Sequence, residues 1–398
     1  MSERKVFSIP LTRVAPLPQK SLDNAMNVLA SGQLFRYGET RADGQFVAQL
    51  ETAFAAYHGK KYAICVNSGG GAITLALRCA GVSSGDTVLL NAFTLAPVPG
   101  SLANIGCSIE LVEITENLIV DLDHLASQIE AHRPKAFLLS HMRGHFGNME
   151  EVASLCRKHD VLLIEDCAHT LGARWDGRLL GTFGIAGCFS LQTYKQINAG
   201  EGGVILTDDD HLAAKAVLMS GSYELHQQHG CIPPTDLLNH YSPTTPNFSM
   251  RLNELSAAVA LPQLEDLEQR NATWRSVYAA IESGLNGVSC LLLPSHSSAV
   301  ELAPTSIQFI VKKPREDIKT FVAHCAKRGV MLKWFGASSP KGFTSVHRHW
   351  KYIEPQSLEA TNRTLSGLCD LRLPSTLTPE DCRLLCEIMI EELEALDA

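Results

Sequence analysis

Residues 187–203 read GCFSLQTYKQINAGEGG and place one lysine, Lys195, between an apolar run and a glycine-rich turn. Upstream, Ile164-Glu165-Asp166 ends another apolar run. A lysine and an aspartate that each follow a buried strand are the groups with which an enzyme holds pyridoxal phosphate (PLP). The lysine forms the Schiff base, and the aspartate keeps the pyridinium nitrogen protonated. The sequence therefore predicts a PLP site built around Lys195 and Asp166.

The composition is that of an ordinary folded protein. The chain has 398 residues, enough for two domains, of which 45% are hydrophobic and 19% are charged. Its net charge of -8 argues against non-specific binding of nucleic acid. No window approaches the roughly 20 apolar residues that span a bilayer, and the first ten residues lack a signal-peptide core. We therefore expect a cytoplasmic protein that binds neither nucleic acid nor a membrane.

The twelve cysteines are scattered along the chain, and no CxxC pair occurs. Most of them lie inside apolar runs, as Cys65, Cys188 and Cys290 do. This spacing favours buried, reduced thiols over a disulfide framework or a metal site. We expect no bound metal.

Short apolar runs alternate with helical patterns through the first half of the chain. Such alternation is typical of a mostly parallel sheet covered by helices on both faces. The seven predicted strands are residues 62–66, 87–90, 109–112, 136–140, 161–164, 187–190 and 203–207.

Beyond the seventh strand the pattern changes. The polar residues 222–250 predict a long loop that is either functional or disordered. Residues 253–285 have a long helical pattern, which Pro262 is expected to kink. A strand, a strand, a helix and a strand follow, and they predict a smaller α+β domain. We therefore predict a large cofactor-binding domain with an N-terminal helical segment, residues 1–260, and a small domain, residues 261–398.

The turn Asn67-Ser68-Gly69-Gly70-Gly71 joins the first strand to a helix. Glycines let the backbone approach an anion, and the first amides of a helix have no intrahelical acceptor. A phosphate would fit there. Tight packing between the strand and the helix explains such a turn equally well, so the turn alone leaves both interpretations open.

The other candidate residues also have ordinary alternatives. Asp166 could be a helix N-cap, His169 could cap a turn rather than face a cofactor, and Lys195 could be a loop lysine on the surface. Burial would lower the pKa of Lys195 and free its amine to attack an aldehyde. Taken in this order on an α/β scaffold, the phosphate turn, Asp166 and Lys195 are hard to explain except as a PLP site.

With these motifs the chain resembles PLP-dependent aminotransferases of fold type I. Within that group it is similar to the DegT/StrS family, which aminates keto-sugars and cyclitols, and the resemblance covers nearly the whole chain. It implies a mostly parallel seven-stranded sheet with helices on both faces and a smaller C-terminal α+β domain. It also implies a homodimer whose active site lies at the subunit interface.

The resemblance assigns Lys195 and Asp166 as catalytic residues and Ser190 as a phosphate contact. Leu95 stands where the family has an aromatic ring stacked on the pyridine, so either Leu95 packs there or Phe93 supplies the ring. The candidate cofactor-binding residues are Ser68, Gly69, Gly70, Phe93, Leu95, Asp166, His169, Ser190, Lys195, Asn247 and Ser249, the last two acting across the subunit interface.

Candidate substrate contacts remain open between function and structure. Arg36 or Tyr37 could meet a carboxylate or a sugar, or could form a helix-terminating turn. His141 or Arg143 could touch substrate or hold the shape of its loop. Arg251 could bind a donor carboxylate through two parallel hydrogen bonds, or form an interface ion pair.

The implied activity is transfer of an amino group from an amino-acid donor, glutamate or glutamine, to a keto-sugar, a cyclitol ketone or another small ketone. One alternative is a different PLP reaction: a lyase, a carbon–carbon bond-forming enzyme, or a desulfurase with Cys231 as its cysteine. The other is a non-catalytic regulator with the same fold. Lys195 disfavours the branch of the family that carries histidine at this position and dehydrates sugars.

Overall fold

The structure, a computed structural model, describes residues 4–38 and 45–397. The helices of these ranges are α1 (Gln19–Ser31), α2 (Phe46–His58), α3 (Gly69–Cys79), α4 (Pro97–Ile105), α5 (Leu122–His132), α6 (Met149–Lys158), α7 (Asp210–Ser220), α8 (Thr235–Tyr241), α9 (Glu254–Glu265), α10 (Leu267–Leu285), α11 (Arg315–Lys327), α12 (Glu359–Gly367) and α13 (Pro379–Glu394). The strands are β1 (Tyr62–Val66), β2 (Thr87–Asn91), β3 (Ser108–Val112), β4 (Ala136–Ser140), β5 (Leu162–Asp166), β6 (Arg174–Trp175), β7 (Arg178–Leu179), β8 (Ala186–Ser190), β9 (Gly203–Thr207), β10 (Leu291–Leu292), β11 (Val300–Glu301), β12 (Ser306–Val311), β13 (Lys333–Trp334) and β14 (Leu368–Arg372).

The central sheet has seven strands in the order β1-β9-β8-β5-β4-β2-β3. β9 pairs antiparallel with β1 and β8, and the other pairings are parallel. The seven strands predicted from the apolar runs are confirmed, with ends that differ by two residues at most. The α/β architecture with a mostly parallel sheet is therefore as expected.

Both faces of this sheet are buried. Alternate residues of β1 enter different cores: Ala63 and Cys65 pack with α2, α5, α6 and α9, whereas Ile64 and Val66 pack with α3, α4, α7 and α8. Burial on both faces explains why the strands are continuous apolar runs rather than alternating ones.

The C-terminal part of the chain contains a second sheet, antiparallel, in the order β10-β12-β14-β13. It packs against α10, α11 and α13 in a core of its own. The sequence analysis missed β14, because Asp370 and Arg372 interrupt its short apolar pattern.

The helical pattern at residues 253–285 forms two helices, α9 and α10. Pro262 lies inside α9, and the break comes later, at Asp266. α9 packs against α1 and α2, whereas α10 packs against α13. The division between residues 260 and 261 stays a prediction, and its position falls inside α9.

Residues 222–250 are less irregular than expected, because they contain a short 3-10 helix (His226–Gln228) and α8. All twelve cysteines are free thiols. Among the residues that the structure describes, no helix is both long enough and apolar enough for a membrane crossing.

The parallel strands end together at one edge of the central sheet. This edge carries Ser68 after β1, Thr94 after β2, and the last residues of β4, β5 and β8, which are Ser140, Asp166 and Ser190. The carboxyl edge of an open α/β sheet is where such folds bind ligands, so polar side chains there mark the place to look for a site.

Candidate functional site

A cavity of about 380 Å³ opens at this edge of the sheet. Lys195, Asp166 and Ser190 all line it, and Arg143 and Arg372 line it as well. Of the eleven cofactor residues named from the sequence, the structure brings eight together here: Ser68, Gly69, Gly70, Leu95, Asp166, His169, Ser190 and Lys195.

Lys195 is half-buried and lines the cavity beside His169. Its Nζ lies 3.0 Å from Nε2 of His169. The pKa of Lys195 is lowered to about 7, mainly by burial and secondly by the positive charge of Arg143. The pKa of His169 likewise lies well below its usual range, mainly because of burial and secondly because of the charge of Lys195. The imidazole is therefore neutral and can accept a hydrogen bond from the amine.

The carboxylate of Asp166 is fixed by two hydrogen bonds. Its Oδ2 accepts from the hydroxyl of Ser140 at 2.7 Å, and its Oδ1 accepts from the backbone N–H of Ala168 at 3.1 Å. The hydroxyl of Thr94 donates in turn to Ser140 Oγ at 2.7 Å. Asp166 is the last residue of β5 rather than a helix cap, and each of its oxygens keeps a lone pair for a further donor.

Asn91 aligns the strand ends that support this carboxylate. Its side-chain amide donates to the carbonyls of Ser140 and Phe93, at 3.0 and 3.1 Å, and its Oδ1 accepts from the backbone N–H of Ser140 at 2.8 Å. Sequence reasoning did not single out Asn91. The available signal was a polar residue at the end of an otherwise apolar strand, which is costly to bury unless it is hydrogen-bonded.

At the other end of the cavity, the start of α3 lies against Ser190. Ser68 is the N-cap of α3, and its hydroxyl accepts from the N–H of Gly71 at 3.0 Å. This leaves the N–H groups of Gly69 and Gly70 for an anion. A Cβ atom on Gly69 would lie only 2.9 Å from Cβ of Ser190. Tight packing and an anion site are thus both present, because the close approach brings Ser190 to the helix start.

These groups fit PLP. An amine with a lowered pKa can bond to the aldehyde, Asp166 can accept from a protonated ring nitrogen, and the cradle of Ser68, Gly69, Gly70 and Ser190 can hold a phosphate. Leu95 lines the cavity, whereas Phe93 is 1% exposed and packs edge-on against Phe335, with ring centroids 5.3 Å apart. Of the two alternatives for the ring face, the geometry therefore favours aliphatic packing by Leu95.

Arg36 and Tyr37, two of the predicted substrate contacts, do not line the cavity. The guanidinium of Arg36 is buried and pairs with Glu51 at 2.7 Å. The hydroxyl of Tyr37 hydrogen-bonds to His229 at 2.9 Å, and His229 also contacts Glu51 at 3.2 Å. This buried network ties the segment after α1 to α2 and to the chain before α8. These contacts favour the structural alternative for Arg36 and Tyr37, and their contact with a substrate stays a prediction.

The contacts of His141 likewise favour the alternative in which it holds the shape of its loop. It is 1% exposed, and its Nε2 lies 3.2 Å from Oε2 of Glu165. Glu165 also accepts from the backbone N–H groups of Gly181, Phe183 and Gly184. His141, Glu165 and Cys167 are close enough to one another for a metal ion. The carboxylate of Glu165 is already fully used by these hydrogen bonds, however.

Asn247, Ser249 and Arg251 do not line the cavity of their own chain. The backbone N–H of Ser249 donates to Oδ1 of Asn247 at 2.9 Å, and Nη1 of Arg251 donates to the carbonyl of Gly221 at 3.1 Å. Asn247 and Ser249 are exposed. Their contact with the site of a neighbouring subunit stays a prediction.

Arg372 is a cavity residue that the sequence analysis missed. It comes from β14, and its guanidinium carbon lies 3.8 Å from the centroid of the Tyr194 ring, which also lines the cavity. A charged residue at the end of a short apolar run was the available signal. Its nearness to Lys195 depends on how the C-terminal part folds back, and local sequence patterns do not encode that.

This fold and cavity define the class of fold type I, the α/β fold of PLP-dependent transferases. The chain belongs to the DegT/DnrJ/EryC1/StrS aminotransferase family, whose model matches residues 22–390. The fold class and the family named from the sequence are both confirmed.

Individual relatives match a shorter part of the chain than the family model does. The chain is 34% identical over 245 residues to GDP-perosamine synthase of Caulobacter vibrioides, covering 61% of this chain and 62% of that protein. It is 30% identical over 303 residues to dTDP-3-amino-3,4,6-trideoxy-alpha-D-glucose transaminase of Micromonospora megalomicea, covering 74% of this chain and 75% of that protein. The chain thus spans 62% and 58% of the first two curated relatives that it matches.

Among solved structures, 3-amino-5-hydroxybenzoic acid synthase superposes with a TM-score of 0.83. It is 22% identical, and the superposition covers 98% of this chain and 100% of that one. At this identity the likeness concerns the fold.

The buried pair of Arg36 and Glu51 gives a test of the structural assignment. We expect Arg36→Leu to destabilise the protein by about 3–5 kcal/mol, because it leaves the carboxylate of Glu51 buried with one cation fewer. The double variant Arg36→Leu/Glu51→Leu should recover part of this loss. Urea unfolding measures both. An Arg36→Leu protein that keeps wild-type stability but loses affinity for a substrate would restore the original assignment.

Proposed function

We propose that the protein is a PLP-dependent aminotransferase that moves an amino group from glutamate or glutamine to a keto-sugar, a cyclitol ketone or another small ketone. The observation that carries the proposal is the placement of Lys195 and Asp166 in one cavity with a phosphate cradle at its end. The family of the chain and the names of its curated relatives, a synthase of an aminosugar and a sugar transaminase, support the same activity.

When bound, PLP supplies an aldehyde that carries the amino group and a ring that draws electrons from the substrate carbon. Lys195 Nζ would be the base that takes the proton from the α-carbon of the donor and delivers it to the cofactor carbon derived from the aldehyde, since its lowered pKa leaves much of the amine neutral near pH 7. Asp166, held by Ser140 and Ala168, would keep the ring nitrogen protonated. Overall, the two substrates exchange an amino group for a carbonyl oxygen, and no oxidant is required.

The alternatives have weaker support. Cys231, the candidate cysteine of a desulfurase, is half-buried and outside the cavity, and its thiol lies 3.6 Å from the backbone carbonyl of Glu51. Burial raises the pKa of this thiol, which opposes a nucleophilic role. A lysine whose pKa lies near 7, in one cavity with an ordered carboxylate, is typical of a catalytic site and therefore disfavours a non-catalytic regulator.

The proposal includes a cytoplasmic homodimer whose active sites lie at the subunit interface. The free thiols suit a reducing compartment. On α1, Leu22, Met26 and Leu29 are 44%, 64% and 51% exposed at helical spacing, and a second copy would cover this apolar face. A monomer in light scattering would contradict the shared site.

The activity is tested by incubating the purified protein with PLP and L-glutamate. We expect about one equivalent of 2-oxoglutarate per active site before any acceptor is added, as ping-pong transfer requires. Lys195→Ala should slow this half-reaction at least about 100-fold, because it removes the general base. Lys319→Ala, which changes a lysine that is 67% exposed, should leave it unchanged. Loss of glutamate without 2-oxoglutarate would indicate a lyase, and no consumption at all would favour the regulator.

The lowered pKa of Lys195 predicts how cofactor attachment depends on pH. Only the neutral amine attacks the aldehyde, so the attachment rate of PLP to cofactor-free protein should rise with pH and level off above about pH 7. An ordinary lysine would reach its plateau above about pH 10. Stopped-flow absorbance between pH 5 and 10 measures the curve. Arg143→Leu should move the midpoint upward, because it removes a positive charge near the amine. A wild-type rate still rising steeply at about pH 9 would contradict this account.

A further inference from the structure

The wall of the cavity beside Lys195 carries more positive than negative charge. Arg143 follows β4, Lys333 is on β13 and Arg372 ends β14, so the cluster joins the central sheet to the C-terminal sheet. The positive charges of all three help to lower the pKa of Lys195, which places them near its amine. The one buried carboxylate among them is Asp370.

Asp370 cannot balance the three cations. Its Oδ1 accepts a hydrogen bond from Nε2 of Gln308 at 2.6 Å, so this side is already used. Its Oδ2 lies 3.2 Å from Nη2 of Arg143 and 3.3 Å from Nζ of Lys333. A single oxygen therefore faces two cations, and Arg372 has no carboxylate within 4 Å among the described residues.

Arg143 and Arg372 are the two members of this cluster that line the cavity. Arg143 is only 7% exposed, and its Nε finds no hydrogen-bond acceptor within the described ranges. The guanidinium carbon of Arg372 lies 3.8 Å from the centroid of the Tyr194 ring. A buried guanidinium with free N–H groups is costly unless a ligand satisfies it, and a carboxylate is the ligand that matches its fork.

The other acidic residues that line the cavity do not neutralise Arg143 and Arg372. Asp166 is held by Ser140 and Ala168 and belongs to the cofactor end. Glu201 lies on the exposed turn before β9, and it forms no ion pair with any described residue. The wall therefore faces any bound substrate with an excess of positive charge.

We propose that Arg143 and Arg372 form a carboxylate-binding wall, and that the ketone acceptor, like the amino-acid donor, carries a carboxylate close to its carbonyl carbon. The inference rests on the proposed function, in which one cavity serves both half-reactions. The wall can bind the carboxylate of the amino-acid donor, and the same two arginines line the cavity when the acceptor enters. A neutral keto-sugar would leave Arg372 without a counterion, and Arg143 and Lys333 would share the single carboxylate of Asp370.

The position of the wall narrows the acceptor further. Because Arg143 and Arg372 line the same cavity as Lys195, the wall suits an acceptor whose anionic group lies close to the carbon that receives nitrogen. The wall favours a compact keto acid, cyclic or open-chain.

The selectivity test uses enzyme that has first been loaded with amino groups by L-glutamate and freed of excess donor. It is offered a matched pair, 3-oxocyclohexane-1-carboxylate and 3-oxocyclohexane-1-carboxamide, and amine product is measured by mass spectrometry. We expect the carboxylate to be used about 100-fold more efficiently, since the amide leaves the buried arginines unpaired. Arg372→Leu should remove most of this preference, and Arg383→Leu, which changes an exposed arginine, should preserve it.

Calorimetry with cyclohexane-1-carboxylate, which has no ketone, supplies a second measurement that does not depend on turnover. Wild-type holoenzyme should bind this acid, and Arg372→Leu should bind it at least about 10-fold more weakly while unfolding at the wild-type temperature. Equal use of the two ketones, or equal binding of cyclohexane-1-carboxylate by wild type and Arg372→Leu, would contradict the proposed carboxylate-binding wall. Failure to form 2-oxoglutarate from glutamate, with acid binding retained, would instead overturn the aminotransferase proposal and leave the wall standing.

Discussion

The arrangement of the site depends on the hydrogen bonds that join the ends of β2, β4 and β5. Asn91 at the end of β2 binds both the N–H and the carbonyl of Ser140 at the end of β4, and the hydroxyl of Ser140 then binds Asp166 at the end of β5. Buried polar groups tolerate few alternative partners, so these hydrogen bonds fix the relative positions of three parallel strands along the strand direction. They thereby also fix the positions of the Asp166 carboxylate, the hydroxyl of Thr94 and the floor of the cavity.

Within this frame, burial and charge act on Lys195 in the same direction. Burial disfavours its ammonium form, and the surrounding cations disfavour it further, whereas Asp166 opposes them. The neutral His169 at 3.0 Å adds a hydrogen-bond partner without adding charge. The same cations that prepare the amine are the ones left without enough counterions. In this site the reactivity of the lysine and the demand for an anionic substrate therefore have one physical origin.

The sequence was informative where function depends on short-range patterns. Buried parallel strands are continuous apolar runs, so the strands of the central sheet and the positions of Asp166 and Lys195 after them could be predicted. The buried pairings of Arg36 and His141 could not be predicted, because their partners Glu51 and Glu165 lie 15 and 24 residues away in the chain. A cation near a strand end or a turn looks the same in sequence whether a distant carboxylate neutralises it or a ligand does.

Arg372 could not be recognised from the sequence for the same reason. It lies in a short strand, β14, whose apolar pattern is interrupted by two charged residues, and it contacts Tyr194, which lies 178 residues earlier in the chain. The central sheet thus supplies the lysine, the aspartate, the phosphate cradle and Arg143, whereas the C-terminal sheet adds Arg372. A phosphate cradle at one end and an excess of cationic side chains beside Lys195 leave few orientations for a ligand that fills the cavity. The reacting carbon is thereby held near the amine that moves its proton, which is the geometry that amino transfer requires.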